Sequence, residues 1–211
     1  AEHTGMIVGI GNWVFQQALN QAGEWRATDP DFSVSVNVSP VQFYRSNEAY
    51  YREWLSDCKS MGGQPGAGPA VSIEMTEGLM MASDETVMDK LAAFQNAGIK
   101  ISLDDFGTGY SSLSYLRKFN LDYLKIDQSF VHNLEQDTAN RALCEAIIVM
   151  AHKLGLKVIA EGIETPGQRD MLASAGCDYG QGYLFGHPIP ADEFALLLKT
   201  PPALAAQPLH A

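Results

Sequence analysis

Short apolar runs alternate with longer amphipathic segments along most of the chain. Five of these runs show little alternation between apolar and polar positions, which is typical of strands that are covered on both faces. A sixth run contains glycines and carries a weaker pattern. The predicted strands are Ser33–Val38, Ala70–Met75, Ile99–Asp104, Tyr123–Asp127, Lys157–Ala160 and Asp178–Tyr183.

The segments between these runs carry helix signals. One helix is indicated by Val87, Leu91 and Phe94, which share a face. Acidic residues stand in its favoured first turn, and Gly98 follows as an end signal. The first-turn acids are Asp84 and Glu85. Two further helices are predicted at Ile7–Ala27 and Phe194–Lys199.

Two more helices have clear boundaries. Thr165-Pro166-Gly167-Gln168 combines an N-cap, a proline in the first turn and a capping-box glutamine, and Gly176 ends that helix. The other helix ends at Gly155, and its predicted apolar face consists of Leu143, Ile147 and Leu154. The glycine- and proline-rich stretch Gly62–Pro69 is predicted to be a flexible loop.

Strands that alternate with helices predict right-handed βαβ units and a parallel sheet. Six such units are visible. A closed (β/α)8 barrel needs eight, so the count alone fits either a doubly wound sheet or a barrel that lacks its first two strands. The position of the polar residues separates these alternatives.

Nearly every predicted strand ends in a residue that can do chemistry: Asn37, Glu74 with Glu77 beyond it, Asp104 and Asp105, Lys125 and Asp127, Glu161, and Gln181. Functional groups drawn from the ends of many consecutive strands are typical of the α/β barrel, whereas an open sheet concentrates its site at one switch point. The sequence therefore predicts a TIM-like (β/α)8 barrel over residues 1–200, of which six strand-helix units are present. Residues 201–211 are predicted to be a flexible tail or linker.

Each of these residues, taken alone, has a simpler structural explanation. Asn37 precedes Ser39-Pro40 and fits a turn, and Asp127 fits a helix cap. Gln181 alone indicates little. The recurrence at six strand ends is what favours a common site.

The charge balance limits the class of partner. The 211 residues include 25 acidic and 14 basic side chains, for a formal net charge of −11. This excess argues against binding of DNA or RNA polymers, which requires a basic face. An anionic substrate would need divalent cations between itself and the carboxylates. Three widely spaced cysteines, Cys58, Cys144 and Cys177, indicate reduced thiols and a cytoplasmic location, and no apolar run reaches the length of a membrane span.

The strand-end residues include five hard oxygen ligands: Asn37, Glu74, Asp104, Asp105 and Glu161. Such ligands suit Mg²⁺ or Mn²⁺. With one lysine beside them, they fit phosphoester cleavage assisted by two cations. Adjacent strand residues point to opposite faces, so Asp104 and Asp105 can share a pocket only where the strand ends or bulges. The glycines of Phe106-Gly107-Thr108-Gly109 are expected to provide that turn.

Six segments, in this order and spacing, resemble the signature of EAL domains, and the resemblance extends from Ala1 to about Lys199. They are Ser35–Ser39, Glu74–Glu77, Leu103–Leu113, Leu124–Asp127, Ala160–Glu164 and Gln181–Phe185. The resemblance implies a TIM-like barrel that hydrolyses cyclic di-GMP to linear pGpG with Mg²⁺ or Mn²⁺.

The resemblance also implies a role for each strand-end residue. Asn37, Glu74, Asp104 and Glu161 are similar to ligands of a first metal, and Asp105 to a residue that helps to hold a second. Lys125 corresponds to the lysine that positions the attacking water and stabilises developing charge. Three residues are similar to supporting or pocket residues: Asp127 near the metal site, Gln181 in the substrate pocket, and Glu77, which anchors the loop after Asp105.

The family's first two strands and its Glu-Ala-Leu triplet, which supplies a further metal ligand, have no counterpart after Ala1. We therefore expect this sequence to be a piece of a longer chain, and the 211 residues alone to lack efficient phosphodiesterase activity. The alternative to an enzyme is a catalytically silent EAL domain that acts as a cyclic di-GMP receptor. Expected partners are cyclic di-GMP, a second copy of the chain in a homodimer, and fused sensory or other signalling domains.

Overall fold

The computed structural model describes residues 1–45, 48–61, 70–78, 85–109, 116 and 118–199. Helices and strands alternate along these ranges. The helices are α1 Met6–Trp25, α2 Pro40–Arg45, α3 Glu48–Met61, α4 Glu85–Asn96, α5 Gln128–Val131, α6 Thr138–Lys153, α7 Pro166–Ala175 and α8 Ala191–Lys199. The strands are β1 Val34–Asn37, β2 Val71–Thr76, β3 Ile101–Phe106, β4 Tyr123–Ile126, β5 Lys157–Ala160 and β6 Tyr179–Gly180.

The described strands form one six-stranded sheet in the order β1-β2-β3-β4-β5-β6. The pairs β1–β2, β4–β5 and β5–β6 are parallel. In a doubly wound sheet the strand order reverses at a switch point, and no reversal occurs among the described strands. The strand order therefore favours the barrel over the doubly wound alternative.

The predicted strands are found at the predicted places, and the bounds of the first five differ from the predicted ones by at most two residues. The sixth is much shorter than the predicted Asp178–Tyr183, because pairing with β5 covers only Tyr179 and Gly180. Gln181 therefore follows the strand and does not lie within it.

The chain divides into two compact units. The first contains α1 to α4 and the first two residues of β3, and the second contains the rest of β3 and all later elements. In the first unit, the rings of Phe15 and Trp54 stack with centroids 4.2 Å apart, and Leu19 and Ile73 are buried beside other apolar residues. In the second unit the core includes Leu124, Ile126, Val158 and Ala160.

The glycine end signals of three helices and one capping box are confirmed. The helices predicted at Ile7–Ala27 and Phe194–Lys199 are present with the bounds Met6–Trp25 and Ala191–Lys199. Thr165 and Gln168 form a capping box at the start of α7, and Gly176 ends that helix with a φ of 98°. Gly98 and Gly155 follow α4 and α6 with positive φ angles as well. Positive φ is readily available only to glycine, which explains the residue type at these ends.

The predicted apolar face of α6 is partly wrong. Ile147 is buried, but Leu143 and Leu154 are 47% and 37% exposed. The buried face consists of Cys144, Ile147, Ile148 and Ala151. The sequence pattern alone could not distinguish these two faces, because both carry apolar residues.

Several predicted features lie outside the described residues: the loop Gly62–Pro69, Asp84 in the first turn of α4, residues 110–113 of the motif after β3, and the tail 201–211. Among the described helices, none combines the length and the apolar character that a membrane-crossing segment requires.

Candidate active site

Three carboxylates lie close together in the second unit, at the carboxyl ends of β3 and β5. Asp104 and Asp105 belong to β3, and Glu161 directly follows β5. One carboxylate oxygen from each lies within 4.8 Å of the others. Asp104 is buried, and the other two are partly exposed. The structure therefore brings together three of the five predicted oxygen ligands.

An unusual backbone conformation lets two adjacent aspartates share this cluster. Asp105 has a φ of 56°, and it is the one non-glycine residue with positive φ in the described part of the chain. Its backbone N–H donates to Oδ1 of Asp104 at 3.0 Å. Gly107 has a positive φ of 96°, as the expected turn requires, but the left-handed conformation already occurs two residues earlier, at Asp105. Aspartate is among the few residues that tolerate this region.

The ammonium of Lys125 lies between two of the carboxylates. Its Nζ atom is 3.1 Å from Oδ1 of Asp104 and 2.5 Å from Oε1 of Glu161. The lysine side chain is only 3% exposed. Lys125 lies in β4, where its neighbours on the strand are the apolar Leu124 and Ile126. Strand β4 thus carries a buried cation to the carboxylates of the flanking strands.

Gln181 also reaches the cluster. Its Nε2 donates to Oε1 of Glu161 at 2.7 Å. The backbone around it is tied to the loop after Glu161, since Ile163 N–H donates to Gln181 O and Leu184 N–H donates to Ile163 O. These contacts explain how a residue beyond a two-residue strand keeps a defined position.

Asp127 follows β4 and caps α5. Its Oδ1 accepts a hydrogen bond from the backbone N–H of Ser129 at 3.0 Å. Asp127 therefore has the helix-cap role that the sequence analysis gave as its simpler explanation. A supporting role at a metal site stays a prediction.

The other three predicted site residues belong to the first unit. Asn37 and Glu74 are Cα partners at the carboxyl ends of β1 and β2, and Glu74 is buried. Glu77 lies just after β2 and is partly exposed. Their assignment as metal ligands and loop anchor stays a prediction.

One residue that the sequence analysis did not single out is Gly162. It has a φ of +68°, and a Cβ atom there would lie 2.6 Å from Cβ of Gln128. Only glycine fits this backbone and this close approach. The sequence offered one sign of this constraint, since Gly162 directly follows Glu161 in the segment Ala160–Glu164.

The donor set fits a hard divalent cation. Three carboxylates beside one ammonium carry a formal excess of two negative charges in a partly buried place. Buried charges of one sign are unfavourable unless opposite charge accompanies them. Oxygen-only ligands favour Mg²⁺, Mn²⁺ or Ca²⁺ over zinc. Asp104, Asp105 and Glu161 could therefore hold such an ion.

A model of the EAL domain family matches residues 1–188. The chain belongs to the EAL domain family. The residues that lie together in the second unit come from the segments that resemble the EAL signature, so the family assignment and the geometry agree.

The curated relatives are much longer than this chain. YkoW, a signaling protein of Bacillus subtilis, is 37% identical over 203 residues, which cover 96% of this chain and 25% of YkoW. MucR of Pseudomonas aeruginosa, a bifunctional diguanylate cyclase/cyclic di-GMP phosphodiesterase, is 36% identical over 200 residues, which cover 92% of this chain and 28% of MucR. This EAL chain spans about a quarter of the length of the curated relatives it matches.

Solved EAL structures are similar over most of the chain. The EAL enzyme Bd1971, bound to cAMP and cyclic di-GMP, matches with a TM-score of 0.85 and 33% identity, covering 93% of this chain and 53% of Bd1971. The MucR phosphodiesterase in complex with cyclic di-GMP matches with a TM-score of 0.81 and 36% identity, covering 92% of this chain and 83% of the MucR chain. The manganese and cyclic di-GMP complex of BlrP1 from Klebsiella pneumoniae matches with a TM-score of 0.72 and 28% identity, covering 87% of this chain and 44% of BlrP1.

EAL structures of this kind are TIM-like (β/α)8 barrels, and this chain has the same fold class with six of its strands. The predicted fold class is confirmed.

Proposed function

We propose that this EAL domain is a metal-dependent phosphodiesterase that hydrolyses cyclic di-GMP to linear pGpG in bacterial second-messenger signalling. The observation that carries the proposal is the buried ammonium of Lys125 between the carboxylates of Asp104 and Glu161. The relatives add support, since MucR is named as a cyclic di-GMP phosphodiesterase and solved in complex with that nucleotide.

The proposed cofactor is Mg²⁺ or Mn²⁺ in a two-metal site. Asp104 and Glu161, together with Asn37 and Glu74, are the proposed ligands of one ion, and Asp105 helps to hold the other. Support comes from the three clustered carboxylates and from the manganese complex of BlrP1. When bound, such ions neutralise phosphate oxygens and lower the pKa of water.

The hydrolysis adds one water across one phosphodiester linkage. A bond forms between the water oxygen and phosphorus, the bond from phosphorus to the 3′ oxygen breaks, and the 3′ oxygen takes up a proton. Lys125 donates hydrogen bonds to the attacking oxygen and stabilises the charge that develops in the transition state. Its burial strengthens this interaction, because little water competes with it.

Other residues position these groups. Gln181 holds the Glu161 carboxylate by the bond from its Nε2, and it is proposed to border the substrate pocket. Asp127 fixes the start of α5 directly after β4. Glu77 is proposed to anchor the loop after Asp105. Together these contacts reduce the motion of the carboxylates and the lysine before substrate binds.

The test is incubation of the full-length protein with cyclic di-GMP and Mn²⁺ or Mg²⁺, with separation of the nucleotides by chromatography. We expect pGpG as the product and no reaction in EDTA. Glu161→Gln serves as the inactive control, and Glu145→Gln, an exposed carboxylate of α6, as the active one. Tight binding of cyclic di-GMP without hydrolysis would instead establish the receptor function of a silent EAL domain.

We also propose that the domain works as a homodimer, fused to sensory or other signalling domains in a cytoplasmic location. Support for association comes from Leu143 and Val149, two apolar residues of α6 that are 47% and 57% exposed. Support for a reducing compartment comes from the three cysteines, which are free and buried. Light scattering after gel filtration tests the dimer, and Val149→Lys should shift it toward monomer.

A further inference from the structure

A single buried glutamine joins two loops that carry site residues. Gln168 lies in the first turn of α7 and is 4% exposed. Its Oε1 accepts hydrogen bonds from the backbone N–H groups of Glu164 and Thr165, at 2.7 and 3.0 Å. Its Nε2 donates to the carbonyl oxygens of Val131 and His132, both at 3.1 Å. One amide thus contacts the loop after Glu161 and the end of α5.

These four bonds use the full capacity of the side chain, which offers two donor hydrogens and two acceptor positions. All four partners are backbone groups. Removal of the amide would leave several of them without a partner in a place that water enters poorly, which is more unfavourable than the loss of an exposed bond. The glutamine is therefore a strong constraint on the distance between the two backbone segments.

The joined segments continue directly into the site. Lys125 and Asp127 lie just before α5, and Glu161 lies three residues before Glu164. A second contact reinforces the join, because Gly162 leaves no space for a Cβ atom against Gln128. The backbone N–H of Glu161 also donates to Ile126 O. Glu161 is thus held from both sides of its loop against the segment that carries Lys125.

Helix capping explains only half of this arrangement. The capping box requires the Oε1 atom of Gln168 and the hydroxyl of Thr165. It does not require the two donations from Nε2 to the end of α5. A glutamate at this position would satisfy a capping box equally well, but it has no amide hydrogens to donate to Val131 and His132. The choice of glutamine is therefore accounted for by the link to α5.

We infer that Gln168 is a positioning residue, which sets the Glu161 carboxylate relative to Lys125 by joining the loop after Glu161 to the end of α5. The inference rests on the proposed function, because it assumes that Glu161 binds the metal. Gln168 itself touches neither substrate nor metal. Groups that orient metal ligands in this way typically change metal affinity or activity by roughly 10- to 100-fold when they are altered.

The test uses two variants of the full-length protein, Gln168→Glu and Gln168→Met. The first keeps the capping acceptor and loses the donors, and the second loses both with little change in volume. Asp137→Ala is the control for lost stability, since it removes the side-chain cap of α6 and so lowers the melting temperature without affecting the link. Binding of Mn²⁺ is measured by electron paramagnetic resonance of the free ion, and kcat and KM are measured with cyclic di-GMP.

We expect both Gln168 variants to bind Mn²⁺ at least about tenfold more weakly and to lose kcat to a similar degree. The KM for cyclic di-GMP should stay within about threefold, because the loss concerns positioning and not uniform substrate binding. Asp137→Ala should also lower thermal stability, by less than the Gln168 variants, and change neither quantity. The inference is overturned if both variants bind Mn²⁺ as wild type does and lose activity only in proportion to stability. A wild-type protein that binds Mn²⁺ but hydrolyses no cyclic di-GMP would overturn the proposed function, and the Mn²⁺ measurement would still decide the role of Gln168.

Discussion

Lys125 and Asp104 form a nearly buried ion pair, with 3.1 Å between Nζ and Oδ1. Glu161 contacts the same ammonium from the next strand. A buried lysine needs such partners, because desolvation of its charge is otherwise strongly unfavourable. The same carboxylates are the proposed metal ligands, so the lysine and the metal depend on a common set of oxygens.

Lys125→Met should therefore separate catalysis from metal binding. We expect kcat to fall by roughly 10²–10³, as for other donors to a transition state. Binding of Mn²⁺ should be at least as tight as in wild type, because a positive charge next to the carboxylates is removed. Steady-state kinetics and Mn²⁺ titration check these two effects. Lys157→Met, which removes an exposed lysine beside Tyr179, should leave kcat and Mn²⁺ affinity unchanged. A fall in Mn²⁺ affinity in Lys125→Met would show that the role of Lys125 is structural.

Asp105 combines a proposed ligand role with a left-handed backbone conformation. Its φ of 56° is well tolerated by asparagine and glycine, whereas alanine at such an angle is less stable by about 1–2 kcal/mol. We expect Asp105→Asn to keep the wild-type melting temperature and Asp105→Ala to lower it. Both should need more Mn²⁺ for half-maximal activity, because each removes a carboxylate. An unchanged Mn²⁺ requirement in Asp105→Asn would show that this carboxylate does not bind the metal.

The turn at Asp105 also shows where the sequence was insufficient. The two adjacent acids predicted a distortion, but the flanking glycines were the obvious candidates for it. The backbone of Asp105 takes the left-handed conformation itself, with its N–H bonded to Oδ1 of Asp104. Local hydrogen bonding of this kind depends on exact placement, which residue types do not specify.

The predicted parallel fold succeeded because its signals are local. Strand runs such as Lys157–Ala160 and the capping box of Thr165 and Gln168 depend on neighbouring residues alone, and both are confirmed. The second half of the contacts of Gln168, to the end of α5, could not be predicted, because its partners are more than thirty residues away. Long-range partners of a buried amide require the tertiary structure.

Gly162→Ala should disturb the candidate site by steric contact. A Cβ atom there would lie 2.6 Å from Cβ and 3.3 Å from Cα of Gln128, so the loop after Glu161 must move. Gly155→Ala is the matched control, since Gly155 has a similar φ of +80° and no atom within 4 Å of the added Cβ. We expect Gly155→Ala to lower the free energy of unfolding by about 1–2 kcal/mol and to retain activity. Gly162→Ala should lose more stability and most of its kcat, and equal behaviour of the two variants would contradict this account.

The contact between His152 and Asp178 predicts a pH dependence of stability. Burial alone would raise the pKa of Asp178, but hydrogen bonds from His152 and from the backbone N–H of Val158 outweigh it and lower the pKa from its ordinary 3.8. A lowered pKa in the folded state contributes stability that is present above the ordinary value and is lost as the pH falls through the folded value.

Asp178→Asn should accordingly be less stable than wild type at neutral pH, with the difference shrinking as the pH falls below about 4. The side chain is partly exposed, so the difference should be no more than about 1 kcal/mol. Urea unfolding across this pH range measures it. Asp170→Asn is the control, because it removes an exposed carboxylate of α7 that does not contact His152. Its stability should differ little from that of wild type at any of these pH values. A constant gap for Asp178→Asn at all pH values would contradict the assignment.

Glu74 and Asn37 are partners at the carboxyl ends of β1 and β2, and we predict that they share a metal with Glu161. If two side chains bind one ion, loss of the first already weakens the site, so loss of the second has less effect than it would alone. We expect Glu74→Gln and Glu161→Gln each to weaken Mn²⁺ binding by at least the roughly 10- to 100-fold typical of groups that support ligands. The double variant should be clearly less impaired than the two losses combined, whereas Glu145→Gln should change nothing. Fully independent effects of Glu74→Gln and Glu161→Gln would place these carboxylates in separate sites, and the proposed ligand set would then be wrong.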